Sequence, residues 1–535
     1  MKRIFLSILV FTLFSFCTFA QSIRYAPVNK EDVERMNFEI LGKAADNYLV
    51  YKEVKGHHRI SVYDHNLDLR EEVPLTVLPK RDEILDISFY NVDNHRYLLF
   101  QHQEGDVVYL KSVSIEANGR ILSEPTVLDT TMISYKTDNK IYSTVTSNDG
   151  SKLMAFKINK KDKSLFRFTT KLFNASLQLI SESRFSLPME YKGDYLTGHS
   201  VANDGSYSFI KYHRQTNGNI IDAALIEKPA DKDAYEEHKL SVNDLFLDDI
   251  KLMVDDASGR YLLSSFYSTK KRGDIEGLYV YGIEKNTNKV VFEKTTLFDE
   301  DLKKRARGRS GKNAFNNFFI NNIIVNGDGS FTVASEALYN TNNWDRWGGW
   351  GGMGMWGGMG MGMGMWGGWG PGWGWGWGGP GWGGWWPYSY YSPFFYRSYW
   401  WGGWGPGWGG GPGWGNSQQF NAGNIAIFSF DAQGNKTWDN VIVKSQSESN
   451  TDGSISYQIL PGSNSIVFLM NNSGKISDLE NIAIGNDGTI RKGQPIKAPE
   501  KRLNFMPKYG KQTGPRELIV PYSYKRNISF AKVEL

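Results

Sequence analysis

Short runs of alternating apolar and polar residues, a turn unit that recurs along the chain, and scant helical periodicity predict an all-β fold. Each repeat holds four such strands at a spacing of about 50 residues, the size of a propeller blade. The count gives a β-propeller of about eight four-stranded blades, with a pair of β-sandwiches as the competing arrangement.

The turns carry the repeat. Asp46-Asn47 stands before Tyr48, and Asp93-Asn94 shortly before Tyr97. Asp149-Gly150, Asp204-Gly205, Ser258-Gly259 and Asp328-Gly329 each precede an aromatic or aliphatic strand, and Gly462 and Gly514 hold the same place later. Such residues turn a hairpin because its backbone needs positive φ. A second set, at Gly119, Gly434 and Gly488, marks the turn from third to fourth strand.

The second unit reads as Glu83–Tyr90, Arg96–His102, Asp106–Ile115 and Arg120–Val127. The last unit offers only Asn504–Tyr509, Glu517–Tyr522 and Asn527–Glu534. Its missing strand is expected from Ser22–Pro27, which would close the ring and cover open edges. A helix is expected only at Asp299–Arg307, with a turn at Lys30–Met36.

Residues 1–20 read as a secretory signal peptide. Lys2 and Arg3 supply the positive start, Ile4 to Phe16 the apolar run, and Thr18-Phe19-Ala20 the small-x-small cleavage pattern. A lipoprotein signal at Cys17 is disfavoured by bulky Phe14 and Phe16, and a retained anchor by the shortness of the run against the ~20 residues of a span. Cys17 is the only cysteine, so the mature chain has no disulfide and no thiol nucleophile. A net charge of +4 is close to balance and gives no reason to expect a nucleic-acid partner. Nothing after the signal is long and apolar enough for a transmembrane helix. The expected location is exported: periplasm, outer-membrane surface or extracellular.

Between Asn343 and Asn416 the composition changes to almost pure Gly, Trp, Met, Pro and Tyr. Every tryptophan except Trp438 lies there or at its threshold, and its only charges are Asp345, Arg346 and Arg397. So much glycine leaves too few side chains to pack a core. A disordered linker, however, is polar, and this segment carries large π faces, so an adhesive loop is expected. It interrupts the sixth unit between a second strand at Ser330–Tyr339 and a third at Asn424–Phe430. In an antiparallel meander that loop shares a face with the blade-to-blade connections, so the insert should overhang the channel mouth. The domain reading is thus 1–20 signal, 21–342 first part of the propeller, 343–416 insert, and 417–535 closing part.

The segments Ile324–Tyr339 and Gly423–Gln446, on either side of the insert, together with the closing strands resemble a group of secreted propeller-like proteins of Bacteroidota-type bacteria. The resemblance is one of strand pattern over most of the chain outside the insert. It implies an envelope or extracellular location and carries over no functional residue.

No catalytic motif stands out. The eight histidines lie in the first half without an HExxH pair, and His57-His58 is read as a surface turn between strands. There is no GxSxG elbow. Gly308-Arg309-Ser310-Gly311-Lys312 lacks the further glycine and hydroxyl of a phosphate loop and follows a helix. Asp248-Asp249, Asp255-Asp256 and Glu336 are candidate carboxylates for a propeller glycosidase, although acidic residues are common in turns. The basic run Lys303-Lys304-Arg305-Arg307-Arg309-Lys312 reads as a solvated helix and loop, with phosphate contact as the sharper alternative.

The insert offers two chemistries. Met353, Met355, Met359, Met361, Met363 and Met365 are soft thioethers that suit Cu(I). Trp373, Trp375, Trp377, Trp382, Trp385 and Trp386 are rigid amphipathic surfaces that stack on sugars or lodge at membrane interfaces. The expectation is a non-enzymatic envelope scaffold or binding protein, with no cofactor. Those six tryptophans would contact an envelope protein, glycan or lipid surface, or drive self-association. A carbohydrate-active enzyme and a Cu(I)-binding protein are the alternatives.

Overall fold

A computed structural model describes residues 21–340 and 419–535, apart from 34–35, 81–82, 93–94, 134–140, 163, 192, 215–218, 243, 286, 288, 308–313, 450–452, 463, 473–477 and 501. Residues 1–20, the insert and the glycine-rich run at 308–312 therefore lie outside the described residues.

The strands fall into eight consecutive antiparallel units. Blades 1 to 5 span residues 37–74, 84–132, 143–188, 194–239 and 246–297. Blades 6 and 7 span 318–449 and 457–492, and blade 8 joins 503–534 to Ser22–Tyr25. Blades 4 and 5 touch through one bridge, Ile220 to Leu247. First strands of successive blades lie side by side, for instance in blades 4, 5 and 6. Fourth strands face solvent, as the exposed pattern of Leu69–Pro74 shows.

Eight apolar clusters prove the ring. Each joins one blade to the next, from Tyr51, Ile60, Leu98 and Phe100 between blades 1 and 2 through the joints that follow. The last cluster packs Ile40, Tyr48 and Val50 of blade 1 on Ile519, Ile528 and Phe530 of blade 8. A sandwich would pool these residues into one core between two sheets. The fold is an eight-bladed β-propeller.

The ring closes as the strand count requires. Ser22–Tyr25 pairs antiparallel with Ala531–Glu534, and Ser22 Oγ donates to Glu534 at 2.7 Å. The turn glycines also hold their expected places. Gly205 sits at φ +89°, where a Cβ would come within 2.5 Å of Leu172; Gly434 sits at +73°, equally close to Phe292. No other residue fits either turn.

Several boundaries differ from expectation. The fourth strand of blade 2 is Thr126–Met132, because Glu116 to Ile121 form a bridged turn and Pro125 cannot donate to a ladder. Blade 8's first strand is split into Leu503–Phe505 and Lys511–Gly514 by a 3₁₀ turn at Pro507–Tyr509. In blade 1 the left-handed residue is Ala45 (φ 51°), one before the expected pair. His57-His58 opens a strand, with Lys55-Gly56 forming the turn. α1 (Glu300–Ala306) forms as expected, with Asp299 accepting from Leu302 N at 2.7 Å.

Candidate functional site around the blade 6 insertion

The insert leaves from the second-to-third loop of blade 6. The flanking strands, Phe331–Asn340 and Gln419–Phe430, reach further toward it than the sequence indicated. Leu338, Tyr339 and Asn340 pair with Ala422, Asn421 and Phe420 beyond a bulge at Glu336–Leu338. Gln446–Ser449 pairs with this extension from outside, and Leu338, Phe420, Ala422 and Ile455 form a small apolar cap on it.

Both legs are tied to the blade 5–6 connector. Leu338 N donates to Asn317 O at 2.9 Å, and Asn424 Nδ2 donates to Ala306 O, at the end of α1, at 3.2 Å. The connector and the strand ends that flank the insert thus share one face of the ring.

Beneath the legs lies a largely buried ionic cluster. Glu336 is 0% exposed and pairs with Lys444 at 2.6 Å, accepting also from Ser456 Oγ at 2.6 Å and Asn321 Nδ2 at 3.2 Å. Lys444 Nζ donates to Gln446 Oε1 at 2.8 Å. Burial pulls the Lys444 ammonium below its ordinary value, and Glu336 opposes that shift. The bulge aims Glu336 at a lysine far along the chain.

The other nominated carboxylates are structural. Asp255 holds Arg260 at 2.9 Å, whose guanidinium also reaches Gly329 O and Ala432 O in blade 6. Asp256 takes Asn148 Nδ2 at 3.0 Å, Asn203 N at 3.1 Å and Lys285 at 3.2 Å, tying three blades together. The Asp248 carbonyl accepts from Arg214, and Asp249 lies within electrostatic reach of Lys251. No two of these acids share a site.

Sequence reasoning missed a cluster on the channel wall. Glu39, Asp86 and Lys511 come from the first strands of blades 1, 2 and 8. Burial pushes the Glu39 carboxyl up to about 7, with Lys511 opposing and Asp86 adding to the shift. Only ring closure brings these residues together.

Of the histidines, His199 is a core residue. Its Nδ1 meets Tyr207 Oη at 2.6 Å, its ring lies against Phe156 and Phe209, and burial lowers its pKa from 6.5 to about 3. Below pH 6.5 the unfolded chain therefore takes up a proton that the folded ring refuses, so stability falls until about pH 3. Between pH 7 and pH 5 the wild-type protein should lose about 2 kcal/mol more than a His199→Gln variant, read by urea titration at each pH. Equal losses in both proteins would contradict this placement.

The six nominated tryptophans lie outside the described residues, as do the six methionines. Trp438, the one tryptophan among the described residues, donates from Nε1 to Asn486 O at 2.7 Å and stacks over Gly488, linking blade 6 to blade 7. Among the described residues no helix is long and apolar enough to cross a membrane, and no cluster of three or more His, Cys, Asp or Glu could hold a metal.

No family model and no curated protein matches the chain. Among solved structures, prolyl oligopeptidase B from Galerina marginata aligns at TM-score 0.38 and 8% identity over 92% of this chain and 56% of that one. A prolyl endopeptidase aligns at 0.34 and 7%, over 85% of this chain and 56% of that one. The dihydro-heme d1 dehydrogenase NirN aligns at 0.37 and 12%, over 96% and 78%. The chain therefore spans little more than half the length of the two peptidases, and likenesses this distant say nothing of activity. That the chain is an eight-bladed propeller follows from its own strand order and its ring of apolar clusters.

Proposed function

We propose that this is an exported, non-enzymatic scaffold or binding protein of the cell envelope, with segment 343–416 as its adhesive element. The observation that supports this is the mounting of the insert. Its legs are pinned by the connector, by α1 and by the buried Glu336–Lys444 pair, outside all eight apolar joints. Among the described residues each of the eight joints is built without the insert, and loop closure costs little extra as a loop lengthens.

Replacing Asn343–Asn416 with a short Gly/Ser linker should leave the far-UV spectrum and melting transition nearly unchanged. Trp438 would then be the only tryptophan, so its emission reports the blade 6–7 joint directly. An unfolded or insoluble product would show that the insert is core.

Adhesion is tested by changing Trp373, Trp375, Trp377, Trp382, Trp385 and Trp386 to Ser, which should abolish retention on envelope or polysaccharide material. By analogy with base stacking, each aromatic face contributes ~1–3 kcal/mol. Changing the six methionines from Met353 to Met365 to Leu should leave retention intact. If the Met variant instead loses a bound Cu(I) and the Trp variant adheres fully, the insert is a copper site.

One observation favours an enzyme. Glu39 beside Asp86 on the channel wall has the raised pKa of a general acid. Loss of a glycosidase activity on changing Glu39 to Gln, with the fold intact, would carry that reading.

A further inference from the structure

Among the described residues the large exposed apolar side chains are aliphatic, with one exception: Tyr191, which is 62% exposed. It stands on the connector between blades 3 and 4, and both ends of that connector are fixed. Met189 N donates to Ser164 O at 2.7 Å, and Arg214 N donates to Gly193 O at 2.8 Å. Between them Asp194 N donates to Tyr191 O, and Tyr191 N donates to Asp194 Oδ2, both at 3.1 Å. A phenol ring presented to water on a closed turn loses little backbone freedom when a ligand covers it.

The carboxylate that closes the turn also orients an imidazole. His213 Nδ1 donates to Asp194 Oδ1 at 2.8 Å, and the His213 ring makes a T-shaped contact with Tyr191 at 5.1 Å. The Asp194 side chain is buried, whereas that of His213 is 24% exposed. With Nδ1 committed, Nε2 of the neutral ring is an acceptor. Asp222 lies opposite His213 on the third strand, so its exposed side chain stands on the same face of the blade. Arg272 N, in the second-to-third loop of blade 5, donates to Asn219 Oδ1 of blade 4 at 2.9 Å, and Ile275 N to Asn316 Oδ1 at 3.0 Å. The cluster thus lies two blades from the legs of the insert, on the same face of the ring.

We propose that Tyr191, His213 and Asp222 form a binding site for a neutral sugar. The site belongs to the ring itself and does not depend on the insert. The phenol ring stacks on the apolar face of a pyranose, while the imidazole and the carboxylate accept from its hydroxyls. An anion would be repelled by Asp222 and by Glu190, which is exposed on the connector. A lipid surface would meet one ring among polar groups and no contiguous apolar patch.

The test is titration calorimetry of the full chain with neutral hexasaccharides of glucose, mannose and N-acetylglucosamine. Wild type should bind at least one of the three. Tyr191→Ala should weaken that binding by about tenfold or more, the loss expected for one stacked ring by analogy with bases. Tyr191→Phe keeps the ring and should keep most of the affinity. Asp222→Ala should cost about fivefold or more, since a hydrogen bond to a charged acceptor is lost. Both side chains are exposed, so neither change should move the melting transition. Unchanged binding by Tyr191→Ala, or no binding of any of the three sugars by wild type, overturns the site and leaves adhesion by the insert standing. A chain lacking Asn343–Asn416 should still show the Tyr191-dependent binding. Its complete loss there would place the sugar contacts in the insert and overturn the site.

Discussion

Removing residues 22–25 is expected to destabilise the protein by about 3–5 kcal/mol, the range for loss of a strand that seals a sheet edge and its packing. Four residue pairs link this strand to Ala531–Glu534. Tyr25 packs edge-on against Tyr522 at 5.7 Å, and the Tyr522 hydroxyl donates to Ala26 O at 3.0 Å. Ala26, almost fully buried, belongs to the cluster that joins blade 8 to blade 1. The exposed edge would be that of blade 8 alone, since blade 1 pairs its own four strands. Denaturant unfolding measures the loss, and a synthetic peptide covering residues 21–30 added in trans should restore part of it. A truncated chain as stable as wild type would mean that the ring is held by its apolar joints and not by the strand.

Much of this architecture was legible because hairpins leave local marks. The turns at Gly205 and Gly434 need positive φ and small size at once, so the sequence there has one solution. The closing strand was legible by subtraction, because the last unit ran short by one. Boundaries were less visible where composition masked the period. Gln419–Gly423 merges with the glycine-rich segment, and Pro125 displaces a strand that alternation alone placed earlier.

The site was legible only in part. Glu336 was one of several carboxylates, and nothing near it in sequence announced Lys444 as its partner. Register and a bulge make that pair. Glu39, Asp86 and Lys511 meet because a ring brings its first and last blades together. Long-range placement of this kind has no local period to read. The mounting of the insert was foreseeable from strand counting, whereas its ties to α1 were not.

The Lys444→Met substitution should cost about 3–5 kcal/mol, because it strands a carboxylate where water does not reach. Glu336 and Lys444 are 0% and 3% exposed at the side chain and stand 2.6 Å apart. Ser456 and Asn321 would still donate to Glu336, but two neutral donors replace the ammonium poorly. Changing both residues to Met removes the buried charge altogether and should recover most of the loss, since apolar replacements of buried pairs are often neutral. The double-mutant cycle, run by urea unfolding, separates the pair from its surroundings. Because the pair lies under both legs of the insert, the single variant should also weaken surface retention, and the double variant should regain it. A single-variant loss below about 1 kcal/mol would mean that water enters the cluster and that the legs are held by backbone pairing alone.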